Sequence, residues 1–396
     1  MAARGRRRLN WDKDLQRPEI VYLIGSLDRG GAELHLARIA PKLIEKGWSV
    51  TIVCLSRRGS LAAAVERQGV RLLSAPVELR PTIPRWIRFV MLGVSAARFF
   101  LYVLYRRPFA VHMFLPAAYW IGGPIVLLAG IRRRLMSRRS RNHYLKRLFV
   151  ARRLERFLHR RMTFVLGNSQ KVVADLLEEG ASPTQTYLIY NGVNMTPCTG
   201  DAAAVRSKKR GELGLRDELV IVCVANLIPY KGHADLIDAM ALVQNRVPSN
   251  WRLLIVGRDD GIGANLRSRA DAAGVGEAIR FLGERSDAEE LLAASDLFVL
   301  PSHEEGFSNA LIEAMSSGLA VVATDVGGNA EAVESGTSGL IVPSRSPQAL
   351  ADAVATMLQD KSLRMTFGKA ARARAEQRFS LERCVDEYDR LYRSLQ

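Results

Sequence analysis

PSHEEGFSNALIEAMSSGLAVVATDVGGNAE, residues 301–331, carries the clearest architectural signal in this chain. The apolar run DLFVLPS (296–302) leads into it and ends at a loop where Gly306 permits a helix to begin near Phe307–Ser308. AVVATDV (320–326) follows as a second apolar run, so the pattern is strand, loop, helix, strand, the repeating unit of a parallel sheet. The first backbone N–H groups of such a helix lack intrahelical partners and are positively polarised, a ready site for an anion. Glu305 and Glu313 flank that helix start, one before it and one about two turns in. A carboxylate this close to a phosphate site is placed to accept ribose hydroxyls, as acidic residues do in dinucleotide folds. The alternative for Glu313 is a solvent-facing helix glutamate.

The same alternation extends in both directions. LVIVCVANL (219–227), WRLLIVG (251–257) and IRFLGE (279–284) are short runs apolar on both faces and spaced by a helix length, as a doubly wound sheet requires. Lys231 follows the first of them, precedes Gly232 and opens a helix, so its ammonium can reach a diphosphate at that edge of the sheet. Upstream, IVYLIGSL (20–27), the loop Asp28-Arg29-Gly30-Gly31-Ala32-Glu33, a helical pattern through Leu36, Ile39 and Leu43, and SVTIVCL (49–55) form another such unit. VRLLSAP (70–76), AVHMF (110–114) and TFVLGNS (163–169) are further buried strands, followed by a helix over 170–180 and by YLIYNGV (187–193). The loose stretch MTPCTGDAAAV after Asn194 is expected to be an interdomain linker, and 381–396 a closing amphipathic helix.

Composition suits two α/β domains: 396 residues, 48% hydrophobic and 24% charged. Cys54, Cys198, Cys223 and Cys384 are scattered without a Cys-x-x-Cys pair, which argues against a disulfide framework or a zinc site. The basic start MAARGRRRLNWDKD is followed by no apolar stretch before Pro18, so no signal peptide is expected. The net charge of +17 is unevenly distributed, with 33 Lys/Arg against 9 Asp/Glu in residues 1–161. The densest block, 131–161, holds 13 Lys/Arg and the single acid Glu155. Such a field attracts nucleic acid, anionic lipid headgroups or pyrophosphate-bearing substrates, or is simply a solvated surface.

Two apolar stretches raise the question of a membrane. Phe109–Ile131 has no Asp, Glu, Lys or Arg, but Pro116 and Gly122-Gly123-Pro124 are expected to break it into strand, loop and helix. In 85–107, Arg85, Trp86, Arg88, Phe99, Phe100, Tyr102, Tyr105 and Arg106-Arg107 have the composition of an interfacial segment; a buried helix is the other reading.

The form EEGFSNALIEAMSSG, with the Gly-Gly turn and Glu331 after it, closely resembles the retaining GT-B glycosyltransferases grouped as family 4. The resemblance covers nearly the whole chain, including Gly30-Gly31-Ala32-Glu33, NSQKVVADLLEEG (168–180), IYNGVN (189–194) and NLIPYKGH (226–233). It implies an α/β GT-B fold of two Rossmann-like domains facing across a cleft. Residues 1–194 would form the acceptor-side domain, with 380–396 packing back on it, and 195–379 the nucleotide-sugar domain. By the same resemblance Lys231 and Glu305 are the catalytic candidates. Lys231 pairs with the diphosphate, and Glu305 takes hydroxyls of the donor sugar. Glu313 takes the ribose; Gly306 and the amides of Phe307, Ser308 and Asn309 cradle the diphosphate; and Gly31 approaches it from the first domain. Relatives retain configuration by front-face attack, with the departing diphosphate helping to deprotonate the acceptor. Neither a metal nor a cofactor is expected.

Two positions depart from the family pattern. Asn226 stands where many relatives have an Arg, which leaves Arg258 or a first-domain Arg to supply the second positive charge. In the stretch LMSRRSRNH (135–143), Ser137 or Arg138 stands where many relatives place a His, and His112 is a further acceptor-side candidate or a packed strand histidine. Rivals are a nucleotide-sugar epimerase, an inverting transferase, a catalytically dead membrane scaffold and a nucleic-acid binder. The last lacks any recognisable reading module, so no nucleic-acid partner is expected. The charge asymmetry favours a peripheral enzyme on the cytoplasmic face of an anionic membrane, moving a sugar from a UDP- or GDP-sugar to a lipid-linked glycan. A soluble transferase with a small-molecule or protein acceptor is the alternative.

Overall fold

A computed structural model describes residues 17–75, 83–141, 149–195, 202–247 and 250–396. The basic N-terminus, most of the expected linker (196–201) and part of the Arg-rich block (142–148) lie outside the described residues. The chain divides into two compact units, the first comprising residues up to Gly167, Leu176–Tyr187 and Val385–Gln396, the second Asn168–Asp175 and Leu188–Cys384.

In the first unit the order is β1 (Glu19–Ile24), α1 (Gly31–Glu45), β2 (Ser49–Cys54), α2 (Ala62–Arg67), β3 (Arg71–Leu73), α3 (Arg85–Arg106) and β4 (Ala110–Phe114). Then come α4 (Pro116–Leu128), β5 (Arg134–Arg138), α5 (Phe149–His159), β6 (Phe164–Gly167), α6 (Gln170–Glu178) and β7 (Thr186–Leu188). Every residue of β1 and β4 is buried, which is why these strands read as unbroken apolar runs. The sheet order is β3-β2-β1-β4-β5-β6-β7, so the chain reverses its direction of winding between β1 and β4.

As expected, Phe109–Ile131 divides into a strand, β4, and a helix, α4, with the break at Leu115–Pro116, but Gly122-Gly123-Pro124 takes no part in it and α4 runs straight through these residues. The glycines are contact residues, since a Cβ on Gly122 would lie 2.4 Å from Leu23 Cδ2 and one on Gly123 2.8 Å from Leu158 Cδ1. Pro124 forgoes one backbone hydrogen bond without ending the helix. Within LMSRRSRNH, residues 135–138 lie in β5, in register with β4 and β6.

The second unit contains α7 (Ala202–Glu212), β8 (Leu219–Val224), α8 (His233–Val243), β9 (Trp251–Val256), α9 (Gly263–Ala272), β10 (Ile279–Gly283), α10 (Ala288–Ala294) and β11 (Leu297–Leu300). It continues with α11 (Asn309–Ser316), β12 (Ala320–Thr324), α12 (Asn329–Ala332), β13 (Leu340–Val342), α13 (Pro347–Gln359), α14 (Lys361–Phe379) and α15 (Leu381–Arg393). Its sheet order is β10-β9-β8-β11-β12-β13, with the reversal between β8 and β11. Separate apolar clusters cover the two faces: Ile221, Leu236, Met240, Leu253 and Val299 in one, Val222, Leu254, Phe298, Leu311 and Met315 in the other.

After Cys384 the last helix belongs to the first unit. Tyr392 holds it to that sheet, with its hydroxyl 2.7 Å from both Tyr22 Oη and His112 Nδ1. Trp48 Nε1 donates to Asp389 at 2.7 Å, and Arg139 donates to Tyr388 Oη at 3.1 Å.

Candidate active site

In an open α/β sheet, ligands bind outside the carboxyl ends of the strands where the strand order reverses. In the second unit that place lies beyond β8 and β11, and the loops there carry Lys231 and Glu305. Lys231 ends a short 3₁₀ turn (Pro229–Lys231), and Gly232 then takes a left-handed conformation at φ 71° to start α8. No side chain fits at Gly232, where a Cβ would stand 1.9 Å from the Pro301 carbonyl oxygen. His303 laces the two loops together: its N–H donates to the Tyr230 carbonyl at 2.7 Å, and its Nε2 lies 2.8 Å from Asp235 Oδ2.

Lys231 Nζ donates to Glu305 Oε1 at 2.6 Å, and Ser302 Oγ donates to the same oxygen at 2.8 Å. Both side chains are largely buried, with 19% of Lys231 and 9% of Glu305 exposed. Burial disfavours the ammonium, yet the charge and hydrogen bond of Glu305 outweigh it and hold the Lys231 pKa above its usual value. The two catalytic candidates therefore meet as a charged pair.

The loop after β11 leads into α11, whose N-cap Ser308 accepts a hydrogen bond from the Leu311 N–H at 3.4 Å. Glu313 stands one turn after Asn309 on this helix and is half-buried. The loop backbone is gripped from behind by the Gly-Gly turn after β12. Gly328 N–H donates to the Gly306 carbonyl at 2.8 Å, and a Cβ on Gly327 (φ 54°) would lie 2.1 Å from the Glu305 carbonyl oxygen.

Asn191 was quoted in the IYNGVN motif without a role, and it proves central. Its Nδ2 donates to the Phe307 carbonyl at 3.0 Å and to Asn309 Oδ1 at 2.6 Å. The Asn309 side chain thus braces the helix start. Phe307 is buried against Tyr190 and Phe379, at ring-centroid distances of 5.1 and 5.2 Å. Glu331 accepts from the N–H groups of Gln170 (2.8 Å) and Lys171 (3.3 Å) and from Tyr190 Oη (3.1 Å), capping α6. The residues joined by these hydrogen bonds are 116 to 161 positions apart, a separation no local spacing reveals.

Other residues near the site are otherwise engaged. Asn226 Oδ1 accepts from the Arg258 N–H at 3.2 Å, and the Arg258 guanidinium pairs with Asp260 at 2.7 Å. Asp259 caps α9 by accepting from the N–H groups of Gly261, Ile262 and Gly263. His233 is buried as the first residue of α8, and burial pushes its pKa down to about 4.

In the first unit, Gly31 opens α1 at the carboxyl end of β1, with Gly30 as N-cap in extended conformation. Burial, with the nearby Asp28 charge adding to it, raises the Glu33 pKa against the pull of its own backbone hydrogen bond. The acceptor-side candidates His112, Ser137 and Arg138 are all at most 2% exposed, and His112 takes its other reading, a packed strand histidine. His112 spends one ring nitrogen on Tyr392 and the other on Ser137 Oγ at 2.8 Å, and burial, with the Arg139 charge adding to it, holds its pKa well below the usual histidine value. Arg138 pairs with Glu155 and Glu179, and Trp120 Nε1 also donates to Glu155 at 2.7 Å. Glu155, His159 and Glu179 are close enough to share a cation. The Arg138 guanidinium already supplies positive charge to both carboxylates.

The surface of this unit is unusual at α3. Among the described residues it is the one helix long and apolar enough to cross a membrane, but only 17% of its most apolar window is buried. Its buried residues are Ser95, Phe99 and Val103, while Trp86 (69% exposed), Phe89 (69%), Leu101 (61%) and Tyr105 (87%) face out. α3 stands between β3 and β4 in the chain, packs against α4, and the Tyr102 hydroxyl on it donates to Glu19 of β1 at 2.7 Å.

Residues 205–374 match the family described as glycosyl transferases group 1, and 29–196 match glycosyltransferase family 4. The D-inositol 3-phosphate glycosyltransferase of Corynebacterium urealyticum is 29% identical over 94% of this chain and 92% of its own length. The lipopolysaccharide core biosynthesis mannosyltransferase LpsB of Rhizobium meliloti is 30% identical over 61% of this chain and 68% of its own length. Against two further inositol phosphate enzymes, from Corynebacterium glutamicum and Corynebacterium efficiens, the chain spans 51% and 50% of the relative's length. The crystal structure of Anabaena HepE in complex with UDP superposes with a TM-score of 0.80 at 25% identity, covering 95% of this chain and all of HepE. The two parallel sheets, each reversing its strand order once, are those of the GT-B fold, and the chain belongs to the group 1, family 4 glycosyltransferases.

Proposed function

We propose that this protein transfers a sugar, with retention of configuration, from a UDP- or GDP-sugar to a hydroxyl of a lipid-linked glycan precursor at an anionic membrane surface. The observation carrying the donor half is the convergence of Lys231, Glu305 and the start of α11 where the second sheet reverses. HepE, which shares the fold along its whole length, has been crystallised with UDP and with UDP-glucose. The diphosphate would take backbone N–H groups at the start of α11 together with the Lys231 ammonium, and Glu313 would take the ribose. Sugar hydroxyls would replace the ammonium on Glu305.

In the transfer step the bond from the anomeric carbon to the diphosphate oxygen breaks, and the acceptor oxygen bonds to the same face of that carbon. The acceptor proton passes to a departing phosphate oxygen. The protein's contribution is charge held in place where it develops, by Lys231 and backbone dipoles, with no metal required. A thermal-shift screen of UDP- and GDP-sugars, with and without EDTA, tests this half. Failure of every nucleotide sugar to raise the melting temperature would refute it, and an EDTA-sensitive shift would refute the metal-free mechanism.

The acceptor half is supported by α3, where exposed apolar side chains alternate with Arg85, Arg88 and Arg98, the pattern of a helix lying in a membrane interface. LpsB, named for lipopolysaccharide core biosynthesis, points the same way. The inositol phosphate relatives favour a second reading, a soluble transferase with a small phosphorylated acceptor. Flotation with vesicles separates the two. Binding that rises with anionic lipid, falls with salt and weakens when Arg85, Arg88, Arg106 and Arg107 become Gln supports the membrane reading. A protein that stays unbound at low salt supports the soluble one.

A further inference from the structure

Beneath α3, between the helix and the carboxyl ends of β2 and β3, lies a cavity of about 360 Å³. Val53, Leu73 and Phe99 give it an apolar wall, and the Cys54 thiol, its pKa pushed up to about 12 chiefly by burial, adds a neutral one. Its polar features are few and specific. Ser95 is 5% exposed, lines the cavity, and its Oγ has no hydrogen-bond partner. A helical serine of this kind ordinarily bonds a backbone carbonyl one turn back, so a buried hydroxyl left over is a cost that a ligand oxygen would remove. Arg98 is exposed and supplies a positive charge to the lining. Leu101 and Tyr105, which also line the cavity, are 61% and 87% exposed on the outer surface of the same helix. The cavity thus opens onto the apolar surface that α3 presents.

We infer that this cavity binds one phosphate-bearing lipid, its hydrocarbon chain against Val53, Leu73 and Phe99, an oxygen of its head on Ser95 and its phosphate on Arg98. The size lies within the range of ligand pockets. The chemistry divides as an amphiphile does, with an apolar wall, a buried hydroxyl without a partner and a guanidinium. The choice of an anionic rather than a neutral head follows from Arg98 and from the excess of Lys and Arg in the first 161 residues. Identifying the occupant as the acceptor rests on the proposed function; the binding itself does not. It names the acceptor class as a lipid phosphate and gives α3 two jobs, lying on the surface and admitting one lipid from it.

The test uses the full chain and a series of alkyl phosphates (butyl, hexyl, octyl) below micelle-forming concentrations, with octanol and inorganic phosphate as controls, measured by titration calorimetry. Affinity is expected to tighten by roughly fourfold per added methylene. Octyl phosphate is expected to bind roughly tenfold more tightly than octanol, as a charge-assisted contact supplies. Arg98→Gln should erase the preference over octanol, and Ser95→Phe, which fills the cavity, should flatten the chain-length series. An affinity independent of chain length, octanol binding as well as octyl phosphate, or inorganic phosphate binding as well as either would each overturn the inference. If Ser95→Phe does not fold, the chain-length series in the parent and Arg98→Gln decide the matter. UDP titrated into the same samples keeps the outcomes apart: normal UDP binding without octyl phosphate binding rejects the lipid cavity alone, and the reverse rejects the transferase reading.

Discussion

Replacing Lys231 with alanine should damage stability as well as transfer. Lys231 and Glu305 are 2.6 Å apart with 19% and 9% of their side chains exposed, and Ser302 supplies a further hydrogen bond to Glu305. Removing one partner of a buried pair leaves an uncompensated charge, at a cost of about 3–5 kcal/mol. Residual exposure and the retained Ser302 bond put this case near the lower end, about 3 kcal/mol. For a unit of this size each kcal/mol shifts the melting temperature by about 2–4 °C, so the transition of the second unit should fall by about 6–12 °C. Transfer at 25 °C, measured where the variant is still folded, should drop by about two to three orders of magnitude, as expected when a transition-state charge contact is lost. The double variant Lys231→Met/Glu305→Gln should recover most of the melting temperature and none of the activity. Because the folded pKa of Lys231 is raised above 10.5, the pair's stabilisation is complete below that value and is lost as pH rises through the folded pKa. A single variant as stable as the parent, or one with near-normal turnover at saturating donor, would refute this account of the site.

Glu313→Ala should weaken binding of free UDP and GDP alike while sparing the fold, read by calorimetry; unchanged affinity for both would remove its ribose role. Glu305→Gln should tighten UDP, by freeing Lys231 for the diphosphate, while lowering turnover with the intact nucleotide sugar; looser UDP binding would contradict the competition implied by the pair. Gly327→Ala should lower both the melting temperature and donor affinity, since its methyl group would meet the Glu305 carbonyl oxygen; a variant with normal affinity would show that the Gly-Gly turn does not hold the loop. Burial depresses the His233 pKa from 6.5 to about 4, so its contribution is present above 6.5 and is lost as pH falls towards 4, a loss on the order of 3 kcal/mol. His233→Gln should flatten that acid limb of the stability profile, and an unchanged limb would assign it to other groups.

The strands were legible because buried parallel strands are apolar on both faces: IVYLI, LVIVCV and LFVL lie close to where their composition puts them. The site loops were legible because glycine and a charged residue at a strand's end have few other uses. What escaped notice depends on partners far away in sequence. Arg138 looks like a loop cation until Glu155 and Glu179 neutralise it within the interior. Gly122-Gly123-Pro124 looks like a helix break until Leu23 and Leu158 are found where Cβ atoms would go. Asn191 and Glu331 look like two more polar residues of a motif, because the backbone groups they hold, at Phe307 and at Gln170–Lys171, are more than a hundred residues away.

The two units handle polar groups in opposite ways, and this bears on where acceptor specificity resides. In the second unit the catalytic candidates stay partly exposed and hold each other in a pair that, on the proposed function, a diphosphate and a sugar would exchange for their own contacts. In the first unit the polar side chains of β4 and β5 are sealed inside, His112 on Tyr392 and Ser137, and Arg138 on two glutamates. Groups so completely satisfied have little to offer an incoming hydroxyl, and drawing one out would expose a charge or break a bond at a cost of about 1–3 kcal/mol. At α3 the first unit leaves apolar side chains outside, arginines among them, and the buried Ser95 hydroxyl without a partner within. On the proposed function, selection of a lipid-linked acceptor would fall to that helix and the strand ends beneath it, rather than to the strand residues that local sequence pattern singled out.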